Sequence, residues 1–474
     1  MIPGAAQLSR LRSRAIRWFD RHGSLTLWLK VLRLGLFQFG MGLTLAPITG
    51  TLNRVLIDNL RISAALVAFL IAIHYFVSPI RALIGYRSDQ RRAQGRWRTP
   101  YIVAGAILTF GGLANAPISL LLLSGQGRLP YAAAAIVCTL IFLAYGVGVN
   151  IVETAYLALV SDLTPPRERG RVLAVLWMML VLGTIVSSML LGSLLLDYTD
   201  ERLIAILKSS AVAFILLTFL SLWKQERLRR DGTVVGFHDA ITVRVSLGDS
   251  LRLLWRQRVL RQLFVVLFIA TAAFASHDVL LEPYGGQVLQ MSVSATTRLT
   301  GLWGLAMLIA IPAAGWLLWR GFSPVLPIVL GCAVGALGFL IVSVASDATL
   351  VAPFRSGVWL IGMGRGLFIV GSVALVMALS DRDHAGLFLG LWGVMQALAQ
   401  GVGAVGGGLA RDLAQRWAGN VVLGYTFVYG AALFGLLIAL LLLIAQRLGR
   451  RVQEGAAASP WSGLQDIPAD QIIY

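Results

Sequence analysis

Charged residues are scarce in this chain. Only 13% of its 474 residues are Asp, Glu, Lys or Arg, while 57% are hydrophobic and the mean hydropathy is +0.78. A soluble globular domain carries about a quarter charged residues, so the deficit excludes one and points to lipid as the main solvent. Acids are scarcer than bases, 22 against 40, for a net charge of +18. In a soluble protein such a balance suggests nucleic acid. Here the arginines sit in short loops between apolar runs, where they orient membrane helices, and no nucleic-acid partner is expected. Cysteine is nearly absent. Cys138 and Cys332 both fall inside apolar runs and read as packing residues rather than a disulfide or metal pair. No metal-ligand spacing, nucleophile–base pair or cofactor loop occurs, so an enzyme is not expected. The Arg-rich start (Arg10, Arg12, Arg14, Arg17, Arg21) is followed by no A-x-A cleavage site and reads as a cytoplasmic anchor; its spaced apolar residues also allow a surface amphipathic helix.

What remains is a series of apolar runs, each near the length of about 20 residues that spans a bilayer. About twelve are expected, near 32–56, 62–86, 100–124, 130–161, 171–197 and 203–223, then 260–288, 296–319, 323–346, 352–380, 385–411 and 420–446. The fold class is therefore an all-α membrane protein. A basic stretch, 224–259, separates two six-helix bundles, 32–223 and 260–446, flanked by a basic segment 1–31 and a tail 447–474. Arginines concentrate after spans 2 and 4, in the 224–259 linker and at the start of the tail, which places these loops and both termini in the cytoplasm. The halves echo each other. Span 4 ends in Ser161-Asp162 and span 10 in Ser380-Asp381, and spans 3 and 9 open after Thr99-Pro100 and Ser323-Pro324. Two related halves with nested repeats describe the major facilitator architecture. Glycines crowd spans 1, 10 and 11, where small residues let membrane helices approach closely.

Ionisable groups at membrane depth are functional candidates because an unpaired charge there is costly. They are Arg81 in span 2, Asn150 and Glu153 on one face of span 4, Asp278 and Glu282 on one face of span 7, and Arg365 in span 10. Glu282 is also close enough to the outer end of its span to sit at the interface. Structural pairing is the plain alternative to proton or substrate binding. His74 and His277 are candidate axial ligands for a chlorophyll magnesium, against the plainer reading of hydrogen-bonded packing residues.

The loop from Gly85 to Arg98 resembles the signature loop of the major facilitator superfamily. That resemblance implies a gating role for Gly85, Asp89, Arg92 and Arg96, with the carboxylate latching against a helix end. The equivalent loop of the second half has Trp319 where the acid belongs, which implies an asymmetric latch. More specific are Asn53-Arg54 at the end of span 1, the run from His277 through Leu281, Glu282, Pro283, Tyr284 and Gly285 in span 7, and the span 11 stretch containing Trp392 and Gln396. Together these resemble the PucC and LhaA proteins, the bacteriochlorophyll-delivery branch of the superfamily. The position of His277 is usually glutamine there. The resemblance, over about 30–446, implies a photosynthetic inner, intracytoplasmic or thylakoid membrane. It further implies binding of chlorophyll or bacteriochlorophyll and delivery to light-harvesting antenna polypeptides, with reaction-centre assembly intermediates as further partners. A proton-coupled transporter of a small organic solute fits the same architecture.

Overall fold

A computed structural model describes residues 28–93, 97–125, 129–164, 168–225, 258–378 and 385–445, without the side chains of 89–93, 169, 258–260 and 385–389. The basic segment 1–31, the 224–259 linker and the 447–474 tail lie wholly or mostly outside the described residues. Hydrocarbon offers no hydrogen bonds to an open backbone, so an apolar chain of this kind satisfies its peptide groups within helices. Nine helices among the described residues are long and apolar enough to cross a bilayer.

The first group comprises α1 (Trp28–Asn59), α2 (Ala64–Phe76), α3 (Ile80–Ala93), α4 (Thr99–Asn115), α5 (Ile118–Leu123), α6 (Tyr131–Leu163), α7 (Arg169–Leu194) and α8 (Asp200–Leu222). The second comprises α9 (Arg258–Ala275), α10 (Leu281–Gln287), α11 (Val293–Trp319), α12 (Val325–Val344), α13 (Val351–Ala378), α14 (Ala385–Ala418) and α15 (Val421–Ala445). Three expected spans are not among these nine. Span 3 is α4 and α5, separated near Pro117; span 7 is α9, a turn over 276–280, and α10; span 11 is α14, which carries Arg411, Asp412 and Arg416.

Each group has an aromatic core. Phe37 packs on Tyr156 with ring centroids 4.1 Å apart, and the buried Tyr156 hydroxyl donates to Leu34 O at 2.7 Å. In the second group, Tyr284 meets Tyr425 and Tyr429 edge-on at 5.0 and 5.4 Å. Glycines set close helix approaches. A Cβ on Gly42 of α1 would strike Leu180 O of α7, and one on Gly364 would strike Gly331 O at 2.6 Å. The two groups meet along α2 with α14, α7 with α11, and the end of α1 with α10 and α11. Nine apolar spanning helices among the described residues make the chain a multi-pass membrane protein.

Candidate functional site

A cavity of about 340 Å³ lies between the two groups of helices. Breaks in helices put polar groups on its wall. Between α2 and α3 the Ser78 N–H turns to Tyr75 O at 3.2 Å instead of continuing the helical ladder to His74. The His74 carbonyl instead accepts from Asn150 Nδ2 at 3.0 Å, whose second amide hydrogen goes to Gly146 O at 2.7 Å. With both amide hydrogens committed, Asn150 Oδ1 faces Arg81 and accepts from its Nε. Arg81 Nη2 completes the set with Glu153 Oε2 at 2.8 Å. The expected common face of Asn150 and Glu153 is thus the surface to which Arg81 is bound.

The second group supplies an opposing set. Arg365 Nη1 donates to Asp278 Oδ1 at 2.6 Å and Nη2 to Gln400 Oε1 at 3.2 Å, while its guanidinium stands 5.4 Å from the Trp303 ring centre. His277 Nε2 lies 3.8 Å from the same Asp278 oxygen, and His277 is otherwise buried, with its ring edge-on to Phe339. Asp278 and Glu282 both line the cavity but do not share a helix face. The chain is a turn at 276–280 and α10 starts only at Leu281, so the four-residue spacing is not a helical one. Glu282 is buried within the protein. It is 2% exposed, Oε1 accepts from Thr300 at 2.6 Å, and Oε2 has no hydrogen-bond partner. Gly50 of α1 abuts this carboxyl so closely that a Cβ there would overlap it.

One end of the cavity is sealed by bonds between the two groups of helices. Pro283 has no N–H to give Val279, and the freed Val279 carbonyl accepts from Asn53 Nδ2 at 3.1 Å. Arg54 donates to Met291 O at 2.9 Å and pairs with Asp58 at 3.2 Å, in space left by the absent side chain of Gly286. Thr51 and Thr297 hydroxyls lie 2.9 Å apart, and Ser188 Oγ accepts from Gly301 N at 2.7 Å. Asp412 of α14 caps α2 from the opposite group, its Oδ2 accepting from Ser63 Oγ at 2.7 Å and Ala65 N at 2.9 Å. A carboxylate suits a helix N-terminus, where unpaired N–H groups concentrate positive charge.

Not every expected residue belongs to the site. Leu281 lines the cavity, but Tyr284, Trp392 and Gln396 belong to the core of the second group; Tyr284 donates to Ala345 O, and Gln396 Oε1 accepts from Thr271 at 2.6 Å. Pro283 and Gly285 are buried in α10, with Gly285 against Thr296. Of the signature loop, the Asp89 and Arg92 side chains and all of Arg96 lie outside the described residues. Gly85 is half-buried in α3, where an added Cβ would meet only Thr154 at 3.8 Å, an ordinary contact. Trp319 is 79% exposed and Arg320 stacks over Trp316. Gln400, Ser63 and the Arg411-Asp412 pair escape the sequence reading, although two adjacent opposite charges at the end of an apolar run are a signal for such a search.

A family model described as PUCC protein matches residues 51–451. Protein PucC of Cereibacter sphaeroides is 36% identical over 419 residues, covering 87% of this chain and 89% of that one. A Rhodobacter capsulatus protein named bacteriochlorophyll synthase 44.5 kDa chain is 29% identical over 446 residues, 91% of this chain and 98% of its own length. Among solved structures, a bacterial homologue of the lysosomal transporter Spinster, inward-facing and unoccupied, superposes with a TM-score of 0.67 at 14% identity, covering 90% of this chain and 98% of that one, and the chain has the major facilitator fold expected from its sequence.

Proposed function

Because this chain belongs to the PUCC protein family, we propose that it assists assembly of photosynthetic antenna complexes, receiving chlorophyll or bacteriochlorophyll and passing it to antenna polypeptides within the membrane. Family membership over most of the chain carries this reading, and the cavity chemistry supports it. A tetrapyrrole needs apolar surface, donors for its carbonyls and one ligand for its magnesium. Trp177 and Trp303 offer flat surface, and the Arg81 and Arg365 guanidiniums offer donors at the wall. His74 suits the magnesium better than His277. Its Nδ1 is hydrogen-bonded to Ile71 O at 2.7 Å, which leaves Nε2 as the lone-pair nitrogen. Metal-binding imidazoles make a bond of this kind on their other nitrogen. His277 is 2% exposed and turns Nε2 to Asp278.

At about 340 Å³ the cavity is at the lower end for small-molecule pockets. In this proposal the ring is therefore the part received and the hydrocarbon tail stays against lipid. In this proposal the membrane is a photosynthetic inner or intracytoplasmic one and both termini lie in the cytoplasm, an orientation the arginine-rich loops favour, with antenna polypeptides and reaction-centre assembly intermediates as partners and no covalent chemistry on the pigment. Protein purified from a pigmented host is expected to show a (bacterio)chlorophyll absorption band, reduced in His74→Leu, and to retain an antenna subunit. Colourless, partner-free protein from that host sinks the proposal.

One observation favours a second reading, proton-coupled transport of a small solute: Glu282, a residue of the cavity wall, keeps a buried carboxyl oxygen without a hydrogen-bond partner. Uptake into proteoliposomes driven by a pH gradient and lost in Glu282→Gln would establish it.

A further inference from the structure

A second cavity, of about 240 Å³, straddles the sealed end. Arg61 lines it from the loop between α1 and α2, and Arg411 and Arg416 line it from α14. Closing the seam thus gathers three guanidiniums from the two groups of helices into one pocket. Among the described residues the only acid lining it is Asp412, which is already committed to Arg411 at 2.9 Å, Ser63 and Ala65 N. The nearby Asp58 is held by Arg54. Counting three arginines against one aspartate leaves a local charge of +2.

Like charges collected by a conformational closure oppose it unless a counter-charge enters. Two further observations point to a ligand. The Arg411 side chain is 7% exposed, yet its Nε–H has no acceptor, although Nη1 and Nη2 are used by Asp412 and Gln287. Arg61 holds a left-handed backbone at φ +55°, uncommon for a residue with a side chain, and neither Arg61 nor Arg416 has an ion-pair partner among the described residues. The planar fork of guanidinium matches a tetrahedral oxyanion.

We propose that this pocket is an anion site for a phosphate group, spanning the seam so that its occupant holds the end closed. The oxyanion draws on Arg61 from one group of helices and Arg411 and Arg416 from the other. A free phosphate and the phosphodiester of an anionic lipid headgroup share this chemistry. Because one oxyanion contacts both groups, it binds the closed form better than the open one and shifts the population toward closure.

The full-length protein tests this directly. In detergent, sodium phosphate is expected to raise the unfolding midpoint saturably, by about 2 °C or more over sodium chloride of equal ionic strength. In nanodiscs, phosphatidylglycerol is expected to do the same relative to phosphatidylcholine if a headgroup is the occupant. A rise in detergent phosphate assigns the free anion; a rise only with phosphatidylglycerol assigns the lipid. The double variant Arg61→Gln/Arg416→Gln, at two exposed positions, should fold and lose the rise, and Arg61→Lys/Arg416→Lys should keep part of it. Labelling of Thr297→Cys at the seam should slow with the anion in the wild-type pocket and not in the glutamine variant. Absence of a saturable rise with either probe, or an equal rise in the glutamine variant, overturns the site. None of these readouts depends on pigment.

Discussion

Pro283 cannot donate to Val279, and the carbonyl it releases is where Asn53 anchors the end of α1 to the opposite group of helices. Pro47 acts alike: the Leu43 carbonyl, which Pro47 cannot engage, accepts from Ser187 of α7 at 2.8 Å. Irregular backbone inside a membrane protein persists where neighbouring side chains satisfy it, and here those side chains are what join helices. Asn53→Leu removes the donor and leaves a buried carbonyl unpaired, an expected loss of about 1–3 kcal/mol. Thermal unfolding in detergent measures it, and an unchanged midpoint would show that the bond contributes nothing. Gly50→Ala should also destabilise, by about 1–3 kcal/mol of overpacking, because its methyl would meet the Glu282 carboxyl and Thr300 Oγ1, and moving that carboxyl aside would break its hydrogen bond from Thr300. Here the readout is the same midpoint together with yield, and wild-type values for both would mean the helices separate freely.

At the scale of the element, the α2 N-terminus is capped twice, by its own Ser63 toward Leu66 N at 3.4 Å and by Asp412 of α14. Only the second cap spans the seam. Asp412→Asn keeps shape and removes charge, so α2 stays helical while closure loses a charge-assisted contact of about 1.5–3 kcal/mol. The expected result is faster labelling of Thr297→Cys, by about tenfold or more, with unchanged helix content by circular dichroism. Equal labelling rates would remove Asp412 from the seal. The helices themselves were legible because hydropathy reports each segment independently. The pairing of Arg81 with Asn150 and Glu153 was half legible, since two of the three lie three residues apart on one helix. The contact that Asp412 makes across the seam was not legible. Its partner lies 349 positions away in sequence, and at the end of α14 it reads as loop polarity. The separation of Asp278 from Glu282 was misread for a related reason: periodicity assumes a continuous helix, and the turn at 276–280 breaks it.

Across the whole molecule, the sealed end and the polar-walled cavity beside it raise the question whether the two groups of helices rock apart or stay as a fixed frame. The Thr51 and Thr297 hydroxyls face each other at 2.9 Å from α1 and α11, 246 positions apart. Sulfurs placed there approach the ~2.05 Å separation of a disulfide with little backbone movement. Thr51→Cys/Thr297→Cys, with Cys138 and Cys332 replaced by serine, should therefore form a bridge under mild oxidation, seen by mass spectrometry of the unreduced peptides. A bridge at this position fixes the seam closed. If delivery proceeds by opening this end, the oxidised variant should fail to support antenna assembly in a strain lacking the wild-type protein, and a reductant should restore it. We expect that loss, because Asn53, Arg54, Thr51 and Asp412 seal the seam with individually modest, reversible hydrogen bonds and ion pairs, and separable contacts of this kind suit a seam that opens. Full antenna assembly by the bridged protein would instead make the molecule a rigid scaffold, with cargo entering and leaving without any rocking at this end.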